Sequence, residues 1–182
     1  MPTIFLSPSV QDFNQTVLGI SEEALMNTVA DAMEPYLIAC NIGFVRNNPS
    51  DTLAEVIALS NEGNYDMHLA LHSNAAPDNL VGILNGPDIY YYAYSRSGAD
   101  AAEIFANNLR VIYPNPDLVT TIPNTTFAEL RKTRATSVLI ELAYHDDIDD
   151  ASWIYDNVDL IAKNLVLSLT EFFNVPFVNP YV

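Results

Sequence analysis

A single cysteine, three histidines and seven basic residues are all that this chain of 182 residues carries of those types. Cys40 alone excludes an internal disulfide framework and any cysteine-based zinc knuckle, and it leaves the redox compartment open. Seven Lys and Arg against 23 Asp and Glu give a net charge of −16 with no local basic patch, so nucleic acid is not an expected partner. No stretch approaches the roughly 18 consecutive apolar residues of a membrane span. Met1 runs into Thr3-Ile4-Phe5-Leu6 with no basic start, so no secretory leader is read and synthesis in the cytoplasm is expected. Repeats, low-complexity tracts and linkers are also missing, which predicts one domain over 1–182. What is present is apolar material: 49% hydrophobic against 16% charged residues supports a core and excludes a disordered chain.

Strand-like and helical segments alternate along the chain. Short apolar runs at Thr3–Leu6, Phe44–Arg46, Asp66–His72, Asp88–Tyr94 and Ser137–Ala143 read as strands. Ser137–Ala143 (SVLIELA) is apolar enough to be buried on both faces. Ser21 caps a helix whose stripe is Met26, Val29, Met33 and Leu37, with Glu22 and Glu23 in its first turn and Asn41-Ile42-Gly43 as its stop. Asp51–Asn61, Ala99–Ile112, Phe127–Lys132 and Ala151–Phe173 complete the helices. Pro8–Ile20 and Pro114–Pro123 read as loops. The alternation predicts an α/β fold in three layers (α/β/α): a mainly parallel twisted sheet of about five to six strands with helices on both faces.

Ligands of such sheets collect beyond the C-terminal strand ends, and three unusual groups fall there. His72 leaves a buried strand for the polar loop Ser73-Asn74, where it is placed to be a ligand, a base, or a hydrogen-bonded strand end. Glu141 lies inside the apolar SVLIELAY. A carboxylate there is costly unless it is paired with Arg131 or Arg134, bound to a metal, or open to a cleft, and desolvation raises its pKa toward the range of acid–base work. Glu22 and Glu23 begin the first helix. One His, one helix-start Glu and one strand Glu are the residue types of a zinc hydrolase, in which a separate Glu moves protons around a water; their spacing alone does not specify such a site. His68 shares a strand face with His72 but stands roughly 13 Å away at about 3.3 Å per residue, so it reads as a core or cleft-wall residue. His145 either folds back over the site or begins the next loop. Asp146, Asp147, Asp149 and Asp150 read as a helix lead-in, and Tyr90-Tyr91-Tyr92 as sheet packing.

These segments, in this order, resemble the zinc-dependent N-acetylmuramoyl-L-alanine amidases of the Amidase_3 type. IFLSPS resembles the family's first strand and loop. SEEALMN resembles the helix start at which a Glu ligand precedes Asn by four, here Glu23 with Asn27. FVRNNPSDTLAEVIALSN, DMHLALHSNA and ATSVLIELAY resemble the following segments, with the ligand histidine on His72 and the catalytic glutamate on Glu141. The resemblance implies Zn²⁺ as cofactor and peptidoglycan or muropeptide as partner. It also implies cleavage of the amide between N-acetylmuramic acid and L-alanine by a metal-activated water, at the cell wall after release. The first histidine ligand is missing: SPSVQDFN stands in place of a Gly-rich turn, with Val10 at the ligand's position. Asp12, Gln11, His145 or a substrate group is left to complete the shell. Glu22 lies nearer the helix's apolar stripe, but the register favours Glu23. Glu22, Asn74 and Arg131 are accessory candidates. The alternative reading is a degenerate amidase fold without metal, binding muropeptide or serving as a structural piece. No separate wall-binding module is read, and the oligomeric state is left open.

Overall fold

The computed structural model describes residues 1–182. Six strands form one sheet: β1 (Thr3–Pro8), β2 (Gly43–Arg46), β3 (Met67–Asn74), β4 (Asp88–Tyr92), β5 (Thr120–Asn124) and β6 (Thr136–Tyr144). Their order is β2-β1-β3-β6-β4-β5. Every neighbouring pair is parallel except β4 with β6. The expected three-layer, mainly parallel sheet is therefore the fold.

Alternation along the strands sends side chains to two unequal faces. Ile4 and Leu6, Met67, Leu69 and Leu71, and Val138, Ile140 and Leu142 point into one large core. That core is closed by α1 (Glu22–Ala39), α3 (Arg96–Ile112) and α6 (Val158–Phe173), which pack on one another. The opposite set, Ser7, His68, Ala70, His72, Ser137, Leu139 and Glu141, looks toward α2 (Leu53–Glu62) and the five-residue α4 (Ala128–Lys132). There the buried apolar cluster is only Ala70, Leu130 and Leu139. Polar groups on β3 and β6 can therefore be enclosed without facing the main core.

The helix ends follow their sequence signals. Ser21 accepts the Ala24 amide at 3.1 Å, and Thr52 with Glu55 forms a reciprocal capping box at the start of α2. Asn41, at φ 56°, takes the left-handed turn after α1. Two boundaries differ from expectation. The Pro114–Pro123 stretch, read as a loop, contains β5, an edge strand on β4. Pro123 is tolerated because no strand lies beyond it to need its missing N–H. The long last helix is two, α5 (Ile148–Asp156) and α6, broken at Asn157 (φ −120°, ψ 24°).

Candidate active site

The β3–β6 register sets His72 directly beside Glu141, one on each of the two central strands. The first turn of α1 comes to the same strand ends. Its buried stripe is Glu22, Leu25, Met26, Val29 and Met33, at helical spacing, so the carboxylate of Glu22 is carried inward with the apolar residues. Glu22 Oε1 lies 2.9 Å from His72 Nδ1. Glu23, the residue favoured by register as the metal ligand, does not face His72. It accepts from Asn27 Nδ2 at 3.1 Å, and Asn27 in turn accepts from Arg46, so Glu23 belongs to a brace between α1 and β2. Of the two, Glu22 is the helix-start carboxylate that faces His72.

The loop after β1 supplies Gln11, not Val10, to this group. Gln11 Nε2 stands 3.4 Å from both Glu22 Oε1 and His72 Nδ1. Asn14 donates to Gln11 Oε1 and to Glu22 Oε2, each at 2.9 Å, and holds the loop in place. Behind His72, Glu129 of α4 lies 3.1 Å from Nε2. Sequence reasoning did not single out Glu129. Its only signal is a carboxylate beside Leu130 in the short FAELRK helix, a pattern shared by many surface helices.

The remaining candidates lie apart. Asp12 is exposed. His145 is buried, and its Nδ1 is engaged by Ser73 at 2.9 Å, away from the cleft. Asn74 caps its own loop at Ala75 and reaches Asp88. Arg131 is exposed, and Arg134 bonds to Asn61, so neither pairs with Glu141. Glu141 Oε2 is buried with no hydrogen-bond partner. With His72, Gln11 and Glu129 it lines a cavity of about 510 Å³, walled by Val10, Phe13, Leu53, Val56 and Phe127.

The electrostatics follow from this packing. Burial pushes the Glu141 carboxyl up, and the nearby carboxylates of Glu22, Asp88 and Glu129 add to it against the charge of His72, leaving the pKa at about 7. Burial would lower His72, but its hydrogen bonds to Glu129 and Glu22 reverse this and hold the imidazole well above its ordinary range. Burial would raise Glu22 and Glu129; their bonds to His72, and for Glu129 also to His68, hold both below the usual carboxylate range.

No three His, Cys, Asp or Glu side chains are grouped to hold a metal ion. The donors that do converge are Glu22 Oε1, His72 Nδ1 and the Gln11 amide, at separations of 2.9, 3.4 and 3.4 Å. Ligands at about 2.1 Å around a tetrahedral zinc are about 3.4 Å from one another. The Gln11 amide turns Nε2 to the third corner while its oxygen accepts from Asn14, so its oxygen reaches a metal only by giving up that bond. The arrangement thus offers a metal two ordinary ligands, Glu22 and His72, with the Gln11 amide beside them as a weaker third donor. The orphaned Oε2 of Glu141 beside it is a buried acceptor that calls for a partner the protein does not supply.

The family model described as N-acetylmuramoyl-L-alanine amidase (Amidase_3) matches residues 10–171. No curated protein matches the sequence. Among solved structures, the chain is similar to the N-acetylmuramoyl-L-alanine amidase AmiC2 of Nostoc punctiforme, with 17% identity over 95% of this chain and 97% of that one and a TM-score of 0.81. It is similar to the N-acetylmuramoyl-L-alanine amidase from Clostridium difficile 630, with 16% identity, coverage of 95% and 97%, and a TM-score of 0.82. The catalytic domain of CwlV from Bacillus (Paenibacillus) polymyxa gives 15% identity, coverage of 97% and 100%, and a TM-score of 0.82. At such identities these likenesses show a shared fold.

Proposed function

This chain belongs to the family of N-acetylmuramoyl-L-alanine amidases, and from that premise we propose how its own residues cleave the amide between N-acetylmuramic acid and L-alanine of peptidoglycan. Glu22, His72 and Gln11 would hold a zinc ion, which when bound supplies Lewis-acid polarisation of the amide carbonyl and lowers the pKa of a water. The observation that carries the reading is Glu141: a buried carboxylate with an unpartnered oxygen, beside His72 at the floor of the cavity. With a pKa of about 7 it exchanges a proton readily near neutrality. It takes a proton from the attacking water and returns it to the leaving amine of L-alanine. Val10, Phe13 and Phe127 form apolar walls and leave the scissile amide to the polar floor.

The test is Glu141→Gln assayed on purified peptidoglycan with added zinc, reading the new L-alanine amino termini by mass spectrometry. The variant should lose at least about 100-fold in rate, the usual contribution of a positioned acid–base group, with an unchanged circular dichroism spectrum. Cleavage at the wild-type rate would remove Glu141 from its role. A second reading, muropeptide binding without cleavage, is favoured by Val10 and the amide of Gln11 where a stronger ligand is needed. Wild-type protein that binds muropeptide but releases no amino termini, zinc-loaded or not, would support it.

A further inference from the structure

We infer that Glu129 is the positioning residue of the site: it accepts from His72 Nε2 and thereby turns Nδ1 of the same ring toward Glu22 and Gln11. The inference rests on the reading of Glu22 and His72 as the residues that would hold a metal. Its basis is a buried chain of hydrogen bonds that none of the catalytic assignments uses. Glu129 is 5% exposed and sits on the thinly packed face of the sheet, beside Leu130 and Leu139. Its Oε2 receives Ser7 Oγ at 2.7 Å and lies 2.8 Å from His68 Nε2. Its Oε1 lies 3.1 Å from His72 Nε2. His68 is itself fixed, fully buried, by Ser60 Oγ at 2.9 Å from Nδ1 and by stacking on Phe5, with centroids 5.5 Å apart and planes 10° apart.

One carboxylate thus joins His68 and His72. Because Ser7 and His68 pin Oε2, the other oxygen has one direction left, toward Nε2 of His72. An imidazole has two different nitrogens, and the hydrogen bond made by one selects the task of the other. Carboxylates that hold the far nitrogen of a metal-binding histidine fix its tautomer and orientation. Two apolar side chains at positions 68 and 129 would fill the same space without the desolvation cost of a buried carboxylate. What the polar pair adds is direction at His72.

The experiment uses the full-length, metal-free chain labelled with ¹⁵N-histidine, with the His72 signals assigned through His72→Ala. Wild-type protein should show a slowly exchanging, low-field Nε2–H resonance for His72. Glu129→Val should abolish it, and Glu129→Gln, which still offers an oxygen, should restore it at a shifted position. The double variant His68→Phe/Glu129→Val removes both buried polar groups together and keeps the test open if Glu129→Val does not fold. Zinc affinity by calorimetry should fall about ten- to hundredfold in the valine variants, with Glu129→Gln in between. Persistence of the wild-type resonance in a folded valine variant would overturn the inference, as would unchanged zinc affinity in a variant that has lost the resonance. Wild-type protein that takes up no zinc would count against the metal reading alone, and the ring signal would still decide the role of Glu129.

Discussion

At the scale of single residues, the site turns on which of two adjacent glutamates points inward. Helical geometry separates Glu22 and Glu23 by about 100°. Glu22 therefore joins the stripe of Leu25, Met26 and Val29, whereas Glu23 joins Asn27 and, through it, Arg46. Exchanging Glu22 for Gln should abolish zinc uptake and cleavage. The same change at Glu23 should leave zinc affinity within about threefold, because Glu23 acts on a hydrogen-bonded brace worth roughly 1 kcal/mol. Metal content of the two dialysed variants distinguishes them, and equal loss in both would return Glu23 to the site.

At the scale of elements, each piece of the site is delivered by an element whose own packing is ordinary. α1 is anchored on α6 by Leu25, Val29 and Met33, β3 and β6 by the alternation of apolar side chains into the main core, and α4 by Leu130. α3 makes no contribution to the cavity, yet with Ala101, Ala102, Phe105 and Leu109 it closes the core on which the central strands rest. Replacing the fully buried Phe105 by Ala should cost about 3–5 kcal/mol of stability. A urea titration would show this as a lower midpoint with an unchanged slope, while the folded fraction keeps its zinc affinity. These elements were legible because periodicity and caps are local: Ser21, Thr52, Asn41 and the SVLIELA strand mark themselves. β5 was not, because its β-branched residues lie among prolines, and only the unpaired edge of β4 makes a strand of them.

At the scale of the whole molecule, the two faces of the sheet divide the labour. One buries the large apolar core; the other encloses Glu22, His72, Glu129 and Glu141 in surroundings where their proton affinities are shifted. The folded chain therefore titrates differently from the unfolded one. Glu141 has a folded pKa of about 7 against 4.5 for the ordinary glutamate. Between these values the folded chain keeps a proton that the unfolded chain has released, so this group lowers stability as pH rises through the window. Glu129 runs the other way, adding stability above the ordinary glutamate value that is lost on acidification. Metal-free Glu141→Gln should accordingly be more stable than wild type at pH 8 by about 1–3 kcal/mol. That advantage should shrink by pH 5. Denaturant midpoints at the two pH values measure it, and a constant difference would show that Glu141 is not raised.

The sequence by itself determined the layer architecture and most element boundaries, and it marked His72 and Glu141 as candidates, because hydrophobic periodicity and a charged residue in an apolar strand are properties of neighbours along the chain. The tertiary structure decided that Glu22 rather than Glu23 meets His72, that Gln11 rather than Val10 comes beside them, and that Glu129 joins His68 to His72. Each of these depends on a rotation about a helix axis, the path of a loop, or the approach of a short helix to a sheet. Those are fixed by packing between segments far apart in the chain, and no local pattern of residues encodes them.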